Sequence, residues 1–549
     1  MQDGNDILNL ILDKRGLSNE EKDIFLNPKY ERDLHDPFLM RDMEKACVRV
    51  YEAMEANEKI IIYADYDCDG IPGAVILEDL FKRVGYKNYQ VYIPKRNSEG
   101  YGLNLEAIDI FRESGVRLII TIDLGITAVE EVAQAEVFGI DTIITDHHLP
   151  HEILPRAYAI LNPKVDDYPE KMLCGAGVMF KFVQGFLRKY GELFKTKEGT
   201  EKWMLDMAGL ATLSDMVPLL GENRAISYFG LKVLKKSPRI GFKKLLKKMN
   251  INQNYLTEDD VGFMVTPRLN AASRMDDPMR AYELLSTSDE EEAEMLAEHL
   301  TEINDERKSI VTKIMRDVNH KFKSGVTSEV IVVGDPSWRI GVLGLVAGKI
   351  TDEYKRPVFV WGRDENDLIK GSCRSDGSVS VVELMTATSE SFVDFGGHEL
   401  AGGFTVKTDQ VHFLEENLSV SYRDVKRLLK ENKDKNFDVE ADFSILTMKN
   451  WKEIEKLSPF GLDNPKPIFL FEKVEINNIK KFGKNGGEHV EITFKDLKGK
   501  LAKGVSFFSG VESFSTLVAE KKVVNLLATF DLSRFMGRVE LRLRIEDIF

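Results

Sequence analysis

The sequence predicts an α/β protein of two lobes joined by a long helix, with a small β-barrel at the C-terminal end. Three observations predict it. In the first half, the apolar runs KIIIYA, VRLIIT and GIDTIIT alternate with helix-like stretches, the pattern of buried parallel strands. A second pair of such runs, EVIVVGD and PVFVWG, follows after residue 328. Near the end the pattern changes to strict alternation in HVEITF and VELRLRI, with Gly and Asn turns between short strands, as in a small barrel or sandwich.

Residues 1–45 read as a helical lead-in, in which LSNEEKDIFLNP gives a capped helix that stops before Pro28. The first lobe spans 46–277. Its apolar helix GAVILEDLFKRVG opens near Pro72, a position that tolerates proline. WMLDMAGLATLSDMVPL reads as a buried helix ending near Asp215. A long helix dominates 278–325, with Ser288 and Glu291 as a capping box. Ala293, Leu296, Ala297, Leu300, Ile303, Val311, Ile314, Met315 and Val318 keep helical spacing along it. Its length predicts a spacer between lobes rather than a core element. The second lobe covers 326–430 and ends in a Gly-rich tail around Gly396 to Gly403. The charged run ENKDKN at 431–436 reads as a linker. The barrel occupies 431–549, with Val539, Leu541, Leu543 and Ile545 on one buried face.

The 549 residues are 43% hydrophobic and 30% charged, an ordinary globular composition. A net charge of −15 disfavours a protein that coats nucleic acid with its whole surface, yet leaves room for a local basic channel. No apolar run reaches the roughly 18 residues of a membrane span. The start, MQDGNDILNL, lacks the basic and apolar regions of a signal peptide. Cys47, Cys68, Cys174 and Cys373 show no CxxC spacing, which argues against structural zinc or a disulfide framework and for the cytoplasm.

Acidic and histidine clusters stand where three of the apolar runs end: Asp65, Asp67 and Asp69; then Asp123; then Asp146, His147 and His148. The carboxyl ends of parallel strands line the ligand crevice of an open sheet. Five carboxylates and two imidazoles cannot gather there unless cations neutralise them. Asp67 and Asp69, two apart, can point at one ion, and Gly70 suits a sharp strand-to-helix bend. An oxygen-rich set with imidazole suits Mn²⁺ or Mg²⁺, and two such ions clamp an in-line attack on phosphorus. Asp146 fits a role orienting a histidine rather than touching metal. His151, in a loop after Pro150, is expected at the surface. A single acidic residue after a strand is more often a helix cap; three clusters in register are not explained that way. No GxSxG elbow suggests serine chemistry.

DYDCDG, TIDLG, TDHH and LSDMVPL together resemble the signature of the DHH phosphoesterase superfamily. IPKRNSEGYGL, LCGAGVMFKF, TPRLNAASRM, GVLGLVAGKI, SCRS, GGHELAGG and FGLDNPKPIF resemble the RecJ family within it, single-strand-specific 5′-to-3′ DNA exonucleases of repair and recombination. The resemblance implies a DHH domain, a DHHA1 domain and an OB-fold. It implies a two-metal centre, with Mn²⁺ or Mg²⁺, of Asp67, Asp69, Asp123, His147 and Asp215, with Asp123 bridging and Asp65 in support. His148 would face the scissile phosphate. Arg96 looks like a phosphate ligand of the first lobe. Arg374, between Ser372 and Ser375, would have two hydroxyls converging beside it on a short loop to recognise the terminal 5′-phosphate. Arg268, Arg274 and His398 would bind the strand. Arg339 stands where the family usually has histidine; it keeps a phosphate-binding option but not a neutral imidazole.

The barrel candidates for strand contact are Lys480, Lys481, Lys484, Phe507, Phe508, Arg534 and Phe535, basic and aromatic residues of the kind such folds use. The resemblance further implies single-stranded DNA as partner, a single-strand-binding protein and a helicase beside it, and a monomer. Two other readings are an oligonucleotide or cyclic-dinucleotide phosphodiesterase of the superfamily, and an inactive homologue in a replication complex. The barrel and long helix count against the first, and the complete acidic set counts against the second.

Overall fold

The structure, a computed structural model of the chain, describes residues 4–96, 99–165, 167–323, 325–426, 436–483, 489–507, 510–534 and 539–549. Two compact units result: one of Asp36–Asp215 with Gly230–Glu431, the other of Met1–His35, Met216–Phe229 and Asn432–Phe549.

The larger unit begins with a parallel sheet of β1 (Lys59–Ala64), β2 (Tyr89–Tyr92), β3 (Val116–Ile122), β4 (Asp141–Thr145) and β5 (Ala159–Leu161). The spatial order is β2-β1-β3-β4-β5, with every pairing parallel. The chain leaves β1 for β2 on one side and returns to β3 on the other. The crevice outside β1 and β3 is therefore the topological switch point, where such sheets bind ligands. Ile60 to Ala64 and Leu118 to Ile122 are all buried, as strands covered on both faces must be.

A second, mixed sheet follows from β6 (Ile331–Gly334), β7 (Val358–Arg363), β8 (Ile369–Arg374), β9 (Phe392–Gly397) and β10 (Ala401–Val406), in the order β6-β7-β8-β10-β9. Only β6 and β7 run parallel; β8, β9 and β10 pair antiparallel.

Between the sheets, the span 278–325 contains two helices rather than one, Met279–Ser286 and the 32-residue Glu290–Lys321. The cap of the long helix is Asp289, whose side chain accepts from the Glu292 N–H, and not the expected Ser288. A carboxylate at that position also complements the helix dipole. Nor is the helix a free spacer. Ala293, Leu296, Ala297, Leu300 and Ile303 are buried, and the helix packs on Ile240–Lys248 and Thr266–Met275. Further along, Val311, Ile314 and Val318 enter a core with Ile331, Val342 and Val358. An apolar stripe, interrupted only at Asn304 and Arg307, drives this packing along most of its length.

The smaller unit holds β11 (Val439–Glu440), β12 (Phe469–Phe482), β13 (His489–Lys495), β14 (Leu501–Phe507), β15 (Val523–Ser533) and β16 (Glu540–Ile548). Pairing of β12 with β15, and of β14 with β16, closes the sheet into a barrel. Its core takes Ile7, Ile11 and Leu12 from Gly4–Lys14 and Phe25 from Asn19–Leu26, beside Phe443 and Phe469. Ser18 and Glu21 form the capping box of the second of these helices. Residues 216–229, expected within the first lobe, cluster with the barrel instead. Arg224 explains why: buried, it donates to Phe25 O at 2.9 Å and Leu457 O at 3.0 Å. On β16, Leu543 and Ile545 are buried as expected, but Val539 precedes the strand and is exposed. Of the charged run at 431–436, residues 431–435 lie outside the described residues. No described helix is long and apolar enough to cross a membrane.

Candidate metal centre

Asp65 follows β1 directly, and the chain turns through Asp67 and Asp69 into the helix Gly70–Val84. Asp67 Oδ1 accepts the N–H groups of Asp69 at 2.8 Å and Gly70 at 3.1 Å, which fixes the turn. Pro72 falls in the first helical turn, where N–H groups have no partner to lose. Gly70 is required by close approach rather than by a left-handed backbone, since a Cβ there would lie 2.5 Å from Asp65 O. Asp69 accepts from the N–H groups of Gly175 at 2.5 Å and Ala176 at 2.7 Å, the opening of the helix Gly175–Tyr190. A carboxylate at a helix N-terminus is favoured by the dipole. Asp123, just beyond β3, adopts φ 63°, a strained geometry for a non-glycine residue that recurs at functional sites. Asp215 caps the C-terminal end of Leu205–Ser214.

His147 gathers these groups. Its Nε2 lies 3.1 Å from Asp123 Oδ1, 3.7 Å from Asp69 Oδ2 and 3.8 Å from Asp215 Oδ2. Three donor sets have ligand atoms within 4.8 Å of one another: Asp123, His147 and His148; Asp69, His147 and Asp215; Asp65, Asp67 and Asp123. Asp123 and His147 each belong to two of them. Asp146 stands behind the histidines. It accepts from the N–H groups of Ile126, His147 and His148, and meets His148 Nδ1 at 2.8 Å.

The electrostatics demand positive charge. Burial, with Asp67 beside it, pushes the Asp69 carboxyl up to about 6. Burial and the charges of Asp69 and Asp67 push Asp215 up to about 9. Asp65 and Asp123 rise for the same reasons. Burial, then His148, drives His147 down to about 3, so it is a neutral donor. Asp65 Oδ1 and Asp123 Oδ1 are buried without a hydrogen-bond partner. Carboxylates so crowded and so poorly satisfied fit a divalent cation.

The second sheet contributes from the facing side of the same unit. His398, between β9 and β10, stacks parallel to His148 with centroids 6.2 Å apart. Ser372 and Arg374 lie on strand β8, two residues apart and thus on one face. Gly344, on the helix Ile340–Tyr354, leaves them room: a Cβ there would lie 3.0 Å from Arg374 Nη2 and 3.6 Å from Ser372 Oγ. Ser372 and Arg374 thus stand on a strand rather than on the short loop expected, and the Ser375 hydroxyl beyond it is engaged by its own turn. That hydroxyl donates to Val379 O and accepts from Gly377 N–H.

Arg274 reaches Gly341 O at 3.3 Å. Burial and the charges of Arg96, Arg307 and Arg374 push it down to about 9. Arg96 lies over the Tyr66 ring at 5.3 Å. Arg268 is buried and donates to Met264 O. Arg339 is exposed and pairs with Glu306 at 2.9 Å, so a carboxylate already holds its guanidinium. His151 is exposed, as expected.

Three neighbours escaped the sequence reading. Tyr101 Oη lies 3.3 Å from both Asp123 O and His148 Nδ1. Lys164 Nζ donates to His147 O, and Cys174 Sγ accepts from Gly177 N–H at the start of the helix that supports Asp69. Tyr101 and Cys174 sit in motifs already quoted; Lys164 carries no local signal. On the barrel, Lys480, Lys481 and Arg534 are exposed. Phe507 neighbours His489 and lies 5.5 Å from both Arg542 and Arg544. Lys484, Phe508 and Phe535 lie outside the described residues.

Fold and site together define a protein of the DHH type with a barrel added. Residues 59–212 match the DHH family N-terminal domain, 323–430 the DHHA1 domain and 437–547 the RecJ OB domain. A Bacillus subtilis protein named single-stranded-DNA-specific exonuclease RecJ is 37% identical over 499 residues, covering 89% of this chain and 62% of its own length. The Haemophilus influenzae protein of that name is 29% identical, covering 93% and 91%. The crystal structure of RecJ from Thermus thermophilus in complex with Mn²⁺ superposes with a TM-score of 0.82 at 24% identity, over 99% of this chain and 76% of that one. A crystal structure of exonuclease RecJ bound to manganese gives 0.62 at 28% identity, over 70% and 95%. The chain belongs to the RecJ family.

Proposed function

We propose that the chain is a divalent-metal-dependent exonuclease that hydrolyses single-stranded DNA from the 5′ end, in repair and recombination. The observation that carries this reading is the sharing of Asp123 and His147 among three donor sets, as a pair of neighbouring cations requires. Asp67, Asp69, Asp123, His147 and Asp215 would hold Mn²⁺ or Mg²⁺, with Asp65 in support. When bound, such ions activate a water and neutralise charge at phosphorus.

The chain's own groups do the rest. Asp146 fixes the His148 ring, which faces the scissile phosphate. Ser372 and Arg374 bind the terminal 5′-phosphate, and Arg96, Arg268, Arg274 and His398 hold the strand. Ser375 supports the loop rather than the phosphate. The relatives' shared name supports this substrate. Catalysis belongs to 46–215, end recognition to 326–430 and strand capture to the barrel, where Phe507 flanked by two arginines offers a stacking platform.

The setting we propose is a cytoplasmic monomer working with a single-strand-binding protein and a helicase. Four free, buried cysteines support a reducing compartment.

The test is hydrolysis of one long single strand, blocked at either the 5′ or the 3′ end, with Mn²⁺, with Mg²⁺ and with EDTA. Metal-dependent release of short products only when the 5′ end is free is expected. Equal hydrolysis from the 3′ end, or cleavage of dinucleotides alone, overturns the assignment.

A further inference from the structure

The long helix carries polar groups that its packing role does not explain. Arg307 is half-buried on it, and Arg268 is buried on the neighbouring helix Thr266–Met275. The Nε of each is buried without a hydrogen-bond partner. Asn304 is fully buried, and neither its Oδ1 nor its Nδ2 finds a partner. It lies three residues before Arg307 and so on the same helical face. On the Arg268 helix, Asn270 Oδ1 is also unsatisfied.

Asp305 pairs with Lys308 at 3.2 Å, and its charge offsets only part of the burial of Arg268 and Arg307; Glu306 pairs with Arg339 at 2.9 Å. Burial depresses both arginines, and the charge of Arg268 depresses Arg307 further. Two desolvated like charges beside an unsatisfied amide cost stability unless something of opposite charge joins them. A buried water would satisfy the amide but would not neutralise the guanidinium groups. An anion does both. Arg274 feels the charges of both Arg307 and Arg374, so this pair extends a line of positive charge already directed at phosphate.

We propose that Asn304, Arg307 and Arg268 form an anion subsite on the long helix that takes a phosphate of the bound nucleic-acid strand, apart from the carboxylate centre and from Ser372 and Arg374. The proposal rests on the nucleic-acid reading above. It turns the helix from a connector into a substrate-binding element. The occupant is a phosphate group, either the terminal monoester or an internal diester.

The experiment uses the full chain in EDTA with a fluorescent oligothymidylate carrying either a 5′-phosphate or a 5′-hydroxyl, titrated at several salt concentrations. Arg307→Gln is expected to weaken binding about tenfold and to reduce the slope of log affinity against log salt by about one. An effect confined to the phosphorylated strand assigns the terminal group; an effect on both assigns an internal one. Arg307→Lys should keep the slope and recover only part of the affinity. Asn304→Asp supplies the missing anion from within, so it should raise the melting temperature while weakening binding. Inorganic phosphate should raise the melting temperature of the wild type more than that of Arg307→Gln. Wild-type affinity and slope in Arg307→Gln, or a large drop in its melting temperature without ligand, overturns the subsite alone. If the wild type binds neither strand, the nucleic-acid reading falls with it.

Discussion

The His398 ring, carried on the hairpin between β9 and β10, stacks over His148 with planes 9° apart. One imidazole belongs to the carboxylate centre and the other to the second sheet, so a strand bound as proposed would meet both lobes at this pair. His398→Ala should lower kcat/KM on long single strands about tenfold. Calorimetric Mn²⁺ affinity should not change, because His398 is absent from every donor set. Unchanged kcat/KM would remove His398 from substrate binding.

Asp123 is the carboxylate the site can least lose. Its Oδ1 is buried, 3.1 Å from His147 and otherwise unsatisfied. Asp123→Asn should cut kcat by at least about a thousandfold. In EDTA the variant should melt no lower than the wild type, since a buried carboxyl whose ionisation the site opposes has been replaced by a neutral amide of the same shape. Turnover close to wild type would refute the assignment.

The metal-free protein should lose stability as pH rises from about 7 to 9. Asp215 has its folded carboxyl at about 9, far above its unfolded value, so the native state binds the extra proton in this window. The derivative of unfolding free energy with pH is then negative. His147, held down to about 3, contributes no slope above its unfolded value. Melting in EDTA at pH 7, 8 and 9 tests the sign, and Mn²⁺ should raise the melting temperature most at pH 9. A metal-free protein that gains stability across this range would contradict the electrostatics.

The parallel strands and acidic clusters were legible because both rest on local patterns: Ile/Val runs such as Ile60 to Ile62, and carboxylates at fixed offsets beyond them. Asp215 was not legible from the residues alone; the resemblance supplied it, and its position depends on how the helix Leu205–Ser214 packs. The engagement of the Ser375 hydroxyl was not legible, because sequence proximity to Arg374 does not reveal the turn that takes it up. The departure of 216–229 from the first lobe rests on Arg224 meeting carbonyls 199 and 233 residues away, contacts with no periodic signature.

Arg224 offers a stability test in the smaller unit. Its guanidinium also lies 3.6 Å over the Phe25 ring. Arg224→Met should destabilise this unit by about 2–3 kcal/mol, since buried carbonyls lose their donor. Chemical denaturation followed by barrel-region fluorescence or hydrogen exchange would measure it. A change below about 0.5 kcal/mol would place the cohesion of 216–229 in apolar packing alone.

The most direct measurement is an anomalous-difference map from crystals soaked in Mn²⁺. Two peaks among Asp65, Asp67, Asp69, Asp123, His147 and Asp215, with Asp123 touching both, are expected. A map with no peak there, or with ions only at surface carboxylates, would contradict the metal centre and the hydrolysis built on it.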